Sequence, residues 1–361
     1  MLIVHYKYLD TITSTITVNF KRQTVRVVNY TDNPIDTAFG RKTDISMRDF
    51  YELINHRCIP RDHYCSRDAF EMIGNNGTVD DNAILDIVKR THGCMASDYY
   101  SMDFAKIEPA GDVKDTAVWF VPRIKKDDAN PLKTGFVPCR GRQLKYKIAE
   151  TWYKEDYFGY EAANTCFCNA LLAHAQRNNR TVDYVPYRIE KINDNIYSVS
   201  EDFLGLNGQL YSIYDLYFHI RGTRFYEQMA EEKKFLCLIE FMEKELHLAG
   251  AGEYLTLLLE WDAFVLNKPR TAKDIYVIRE GNDFFFAPIF NHDSSWLGSL
   301  GRKHPYSTML DFARNYYGRQ LFLDMDYDYT DTFNEIRNIY SNGIADKLQT
   351  MYLYQKALHK I

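Results

Sequence analysis

The sequence predicts an α+β fold of more than one part, on three observations. Apolar and polar residues alternate near the start and again over 184–203, the mark of half-buried strands. From residue 216 onward the apolar spacing is mainly helical. The 361 residues, 46% of them hydrophobic, are enough for two buried cores.

Composition narrows the function. Lys and Arg total 44 against 49 acidic residues, a formal net charge of −5, so no general field draws the chain to nucleic acid or anionic lipid. Nucleic acid is therefore not expected as the primary partner. The 28 Tyr and 22 Phe accompany no basic stripe of the kind a base-stacking groove needs, and are read as core and strand-face residues. The opening MLIVHYKYLD lacks the layout of a signal peptide, and no later run approaches a bilayer-spanning length, so no membrane association and a cytoplasmic location are expected. Seven cysteines, an odd number in a large chain, fit reduced thiols better than a disulfide framework. Cys166 and Cys168 on one helix point to different faces, and Cys58, Cys65, His63 and His92 lack a C-x-x-C pair, so neither set is read as a metal site.

Taken in order, strands at 14–20 and 24–30 flank the polar turn Lys21-Arg22-Gln23. Ser46 is an N-cap for a helix running through Asp49 and Phe50 and stopped by Pro60. Helices at 67–73 and 81–91 surround the turn 74–77, and His92 is a capping or packing residue. Residues 106–141, rich in Asp, Lys, Pro and Gly, read as a linker. Gly135 and Gly141 there are turn residues, because neither G-x-G-x-x-G nor a P-loop is present. Strands follow at 143–148 and 151–154, then a hairpin over 184–203 about Asn193-Asp194-Asn195. Helices are expected at 216–230, 235–248 and 254–266, a hairpin at 275–278 and 283–287, and helices at 307–317, 330–340 and 345–359. Acidic residues at 324–328 lack the glycine and terminal Glu of a Ca²⁺ loop and read as a solvated turn. The parts are then 1–105, an α+β module; 106–141, the linker; 142–205, a small β-rich part; and 206–361, a helical part.

Two motifs carry chemistry. Asn267-Lys268-Pro269-Arg270-Thr271-Ala272-Lys273-Asp274-Ile275, followed after a hairpin by Ala287-Pro288-Ile289-Phe290-Asn291, resembles the catalytic loop of the HipA/CtkA-like Ser/Thr protein kinases, N-x-D-R-H-x-x-N-[IF] and A-P-x-[YF]-D. Upstream, Trp152-Tyr153-Lys154 and Gly159-Tyr160-Glu161 resemble the W-[YI]-K and G-Y-E of the same family. Residues 49–61 and 87–104 resemble a module attached to some bacterial HipA-like proteins. The resemblance implies a bilobal protein-kinase-like (HipA-like) fold, with a small β-rich lobe and a helical large lobe behind a small α+β N-terminal module. It also implies ATP and Mg²⁺ as cofactors.

Carried over residue by residue, the resemblance puts the catalytic base at Pro269, the metal-binding Asn at Asp274 and the second metal ligand, an Asp, at Asn291. Lys154 takes the phosphate-clamping position, for which Lys145 and Lys147 are alternatives, and Glu161, Asn267 and Arg270 complete the nucleotide pocket. The family's next helix acid falls on Thr165. A prolyl ring has neither a titratable group nor an N–H, so Pro269 cannot act as a base. Asp274 remains a fit ligand for a hard cation, whereas Asn291 brings one negative charge fewer. Asp262 and Asp293 are the carboxylates nearest to a replacement. The function expected is a pseudokinase that binds a protein partner and a nucleotide. Alternatives are an active kinase of toxin-antitoxin or effector type using Asp274 or Asp293, and a scaffold acting through the N-terminal module.

Overall fold

The computed structural model describes residues 1–58, 80–105, 143–177, 180–205, 207–225, 229–268, 270–299, 307–324, 326–340 and 342–359. The expected helix at 67–73, the turn at 74–77, the 106–141 linker with Gly135 and Gly141, and Cys65, His63 and Pro269 lie outside the described residues. The chain falls into two compact units, Met1–Ala149 with Leu206–Phe225, and Glu150–Gly205 with Tyr226–Ile361.

The first unit opens on β1 (Leu2–Tyr8), β2 (Thr11–Asn19) and β3 (Thr24–Asn29), followed by α1 (Met47–His56), α2 (Asp81–Thr91), β4 (Tyr100–Phe104) and β5 (Lys145–Ile148). The first four strands form an antiparallel sheet in the order β3-β2-β1-β4. Period-two alternation puts Ser14, Ile16 and Val18 of β2 and Val4 and Tyr6 of β1 on the buried face. β2 and β3 match the two expected strands; β1 and β4 were not expected, because β1 opens on three consecutive apolar residues and β4 is only five residues long. Ser46 and Asp49 form a capping box at the start of α1, which buries Phe50 and Ile54. Asp80 caps α2, and His92 ends it in the left-handed conformation, φ 53°. Arg57 staples the end of α1 to the start of β4, through a forked pair with Asp98 at 2.6 and 2.9 Å and bonds to the carbonyls of Gly93 and Tyr100, both 2.7 Å.

The second unit begins with β6 (Thr151–Glu155), α3 (Glu161–Ala173), β7 (Ala175–Arg177), β8 (Arg180–Thr181), β9 (Arg188–Ile192) and β10 (Asn195–Glu201). β10 pairs antiparallel with both β6 and β9, the latter through the expected turn at Asn193. The chain then returns to the first unit for β11 (Gln209–Ser212) and α4 (Ile213–Arg221). This helix was expected over 216–230, but Gly222, left-handed at φ 69°, caps it at Arg221.

The rest of the second unit is α5 (Glu231–Lys244), α6 (Ala251–Phe264), β12 (Tyr276–Glu280), β13 (Asp283–Phe286), α7 (Ser307–Tyr317), β14 (Phe322–Leu323), α8 (Thr330–Ile339) and α9 (Asn342–His359). β12 and β13 form the expected hairpin, with Gly281 at φ 61° in its turn. α6 is buried on nearly every side and mostly apolar. One acid on it, Glu260, is satisfied by Arg314 at 2.6 Å and by the N–H groups of Gln320 and Leu321 at 2.8 and 2.7 Å. The core gathers on Phe167 of α3, whose ring lies 4.8 to 5.8 Å from those of Phe333, Trp296, Tyr352 and Tyr329. Among the described residues no helix is long and apolar enough to cross a membrane.

Candidate functional site

The residues carrying the kinase resemblance all fall in the second unit. β6 delivers Lys154, opposite Ser198 of β10. Its Nζ lies 3.5 Å from Asn291 Oδ1 and 5.4 Å from the centroid of the Tyr187 ring. The expected phosphate-clamping lysine and the expected metal-ligand position are therefore neighbours, although 137 residues separate them in sequence. Lys145 and Lys147 lie on β5 in the first unit.

Asn291 is set by the strand-like segment before it. Ile289 donates its N–H to Asp183 O at 2.9 Å and accepts from Val185 N at 3.0 Å, and the Phe290 ring sits 5.3 Å from both Phe203 and Tyr276. Asn291 then turns left-handed at φ 72° and is exposed. Asn adopts that region more readily than most residues with a Cβ.

Arg270 is not available to a nucleotide in the expected way. Its guanidinium makes a forked ion pair with Asp262 of α6, Nε to Oδ2 at 2.7 Å and Nη2 to Oδ1 at 3.1 Å. Asn267 donates its side-chain amide to Asp262 Oδ1 at 2.9 Å. Burial alone would lower the Arg270 pKa, but the Asp262 carboxylate beside it raises it, so the guanidinium stays charged. Burial in turn pushes the Asp262 carboxyl up, against the pull of Arg270. Arg270 also reaches Asp274 O at 3.4 Å and Phe290 O at 3.5 Å, tying both loops to α6. Sequence reasoning gave Asp262 only a reserve role. Its signal was a buried-side acid on a mostly apolar helix, eight residues before the arginine.

Asp274 is committed locally as well. Its Oδ2 accepts from Thr271 N at 3.1 Å and Thr271 Oγ1 at 2.9 Å, closing the turn before β12. As a Mg²⁺ donor set, one such carboxylate and one carboxamide are a poor fit for a cation that favours several charged oxygens in fixed geometry. No group of His, Cys, Asp and Glu among the described residues is arranged to hold a metal ion.

Glu161 opens α3 but pairs with backbone rather than with a lysine, accepting from Tyr157 N at 2.8 Å and Phe158 N at 3.3 Å. Burial pushes its carboxyl up to about 7; the Tyr157 N–H works against this, and Asp293 and Asp156 add to it. Asp156 takes the neighbouring amides, Gly159 N at 2.7 Å, Tyr160 N at 3.1 Å and Ala162 N at 3.1 Å, and also accepts from the Tyr340 hydroxyl. Thr165, at the position of the family's next acid, is buried and donates its hydroxyl back to Glu161 O at 2.9 Å.

Two residues that sequence reasoning missed hold the turn after Asn291. Asn164 of α3, fully buried, donates to Asp293 O at 2.9 Å and Ser295 O at 2.7 Å and accepts from Leu297 N at 3.4 Å. His292, 1% exposed, receives the Trp261 indole N–H on Nδ1 at 3.3 Å. Nδ1 is thus the acceptor and the proton sits on Nε2. Burial, with Arg270 and Lys154 nearby, holds its pKa well below the usual imidazole value. The Asp293 side chain accepts from Ser294 Oγ at 3.3 Å.

No family model matches this chain, and no curated protein matches it. Among solved structures it is similar to HipA of Shewanella oneidensis MR-1, solved as a toxin-antitoxin complex with HipB and operator DNA. The TM-score is 0.50 with 10% identity, over 97% of this chain and 91% of that one. The proinflammatory kinase CtkA of Helicobacter pylori aligns with 60% of this chain and 90% of its own at 12% identity and a TM-score of 0.35. At such identity the likeness to HipA is one of fold alone, a mixed α and β architecture that this chain shares with it.

Proposed function

We propose that this chain is a pseudokinase: a HipA-like kinase fold that has lost phosphoryl transfer, binds a nucleotide beside Lys154, and acts through a protein partner. The observation that carries it is the approach of Lys154 Nζ to a carboxamide, Asn291 Oδ1 at 3.5 Å, at the position where transfer calls for a metal-binding carboxylate. Phosphoryl transfer depends on placement and charge neutralisation. Here Arg270 is neutralised by Asp262, Asp274 is engaged by Thr271, and Asn291 brings no charge. A prolyl residue at the base position adds to the loss. The Lys154 ammonium is a compact charge suited to a phosphate.

The test is a thermal melt of the full chain with ATP, with and without Mg²⁺, beside a transfer assay with radiolabelled ATP. Expected is stabilisation by ATP that needs Lys154 and little Mg²⁺, with no label transferred. A ligand at about ten times its Kd stabilises by roughly 1.4 kcal/mol, about 3 to 6 °C for a unit of this size. Label transfer that disappears in Asp274→Ala or Asp293→Ala would establish the active-kinase alternative instead. No shift with nucleotide, together with capture of a partner by residues 1–105, would leave the scaffold reading.

A further inference from the structure

The turn at Asn291 has the features of a spontaneous amide-to-acid conversion. Asn291 is exposed and left-handed at φ 72°, so water reaches its carboxamide. Lys154 Nζ stands 3.5 Å from Oδ1, where an ammonium draws electron density from the Cγ carbonyl and stabilises an oxyanion formed on it. The next residue, His292, has a backbone N–H that makes no hydrogen bond among the described residues, its ring being held by Trp261 instead. The Asn164 clamp begins only at Asp293 O, which leaves the Asn291 side chain outside it.

We propose that Asn291 is a deamidation site at which Lys154 polarises the carboxamide for attack by the His292 backbone nitrogen. The nitrogen gives its proton to solvent and forms a bond to Cγ, and the oxyanion on Oδ1 lies against the Lys154 ammonium. Collapse breaks the Cγ–Nδ2 bond, and Nδ2 takes up a proton and leaves as ammonia. One water then opens the five-membered imide. Opening at Cγ gives aspartate; opening at the backbone carbonyl gives isoaspartate. No oxidant or reductant enters. The consequence, which alone rests on the proposed function, is that the aspartate product returns a negative charge to the second metal-ligand position.

The experiment is peptide mapping by mass spectrometry of the full chain held at mildly alkaline pH, following the mass gain of amide-to-acid conversion. Two asparagines serve as internal references. Asn207 precedes Gly208, which offers no Cβ to hinder attack, and Asn282 is exposed in the β12–β13 turn before Asp283. Expected is conversion at Asn291 several-fold faster than at Asn282. Lys154→Met should reduce it to the Asn282 rate, and unfolding the wild-type chain in denaturant should erase the difference. The unfolded wild type keeps the comparison valid should Lys154→Met fold poorly. An Asn291 that stays an amide while Asn207 converts would overturn the proposal, as would an unchanged rate in Lys154→Met. The consequence is read separately, as the change in melting temperature that Mg²⁺ with ATP gives Asn291→Asp relative to wild type. No added response there would overturn the metal-ligand reading while conversion at Asn291 stood.

Discussion

Asp262→Ala removes the carboxylate from the Arg270 guanidinium and from Asn267. Asp262 is fully buried and the Arg270 side chain is 9% exposed, so the arginine cannot turn out to water to replace its partner. Charge-assisted bonds of this kind contribute about 1.5 to 3 kcal/mol each, and they overlap because they share one carboxylate. Leaving a buried charge uncompensated costs about 3 to 5 kcal/mol, and the lack of an escape route puts this case in the upper part of that range. Replacing both partners, as in Asp262→Leu with Arg270→Met, should recover most of this loss, since apolar side chains of similar volume carry no desolvation penalty and only the acceptor of the Asn267 amide stays missing. The measurement is urea unfolding of the full chain followed by tryptophan fluorescence, comparing midpoints at unchanged m. A loss below about 1 kcal/mol in Asp262→Ala would refute the reasoning, as would a double variant no more stable than the single one.

Asn164→Ala leaves Asp293 O, Ser295 O and Leu297 N without their partner, and should cost about 3 kcal/mol with faster amide exchange at 293–297. Glu161 titrates at about 7 when folded, above its unfolded 4.5, so its contribution is full below 4.5 and is lost as pH rises through 7. Glu161→Gln should therefore be more stable than wild type at pH above about 7, by on the order of 1 kcal/mol once partial solvent access is allowed for, as read by melting temperature against pH. His292 acts in the opposite sense: its folded pKa lies below 6.5, so stability is full above that value and falls as pH drops beneath it. His292→Phe should remove this acid-side loss, and wild type should be flatter than either variant between about pH 4.5 and 6.5, since the two slopes oppose each other.

Much of the fold was legible because periodicity and capping are local. Ser46 and Asp49 announce α1, Asn193-Asp194-Asn195 announces the β9–β10 turn, and the spacing at 307–317 gave α7 its limits. β1 was missed because its three leading apolar residues break the alternation and β4 because five residues show too little of it, and α4 was drawn too long because the cap at Gly222 was not weighed. At the site, the family motifs named Lys154 and Asn291 singly, and neither their approach nor the engagement of Arg270 by Asp262 was foreseen. Nothing local tells a pocket arginine from one paired with an acid on the preceding helix. Asn164 and His292 were illegible for the same reason: each acts on, or is held by, a segment far away in sequence.

The start of α3 carries its own counter-ions. Glu161 takes the amides of Tyr157 and Phe158, and Asp156 those of Gly159, Tyr160 and Ala162. A helix N-terminus ordinarily attracts anions through such amides and its dipole. With these five amides already taken by two carboxyl groups, of which Asp156 carries the charge and Glu161 titrates upward, inorganic phosphate or sulfate finds those donors occupied at this end of the helix. The function proposed above assigns an anionic ligand to Lys154 on β6, and an affinity resting on that charge should fall with ionic strength.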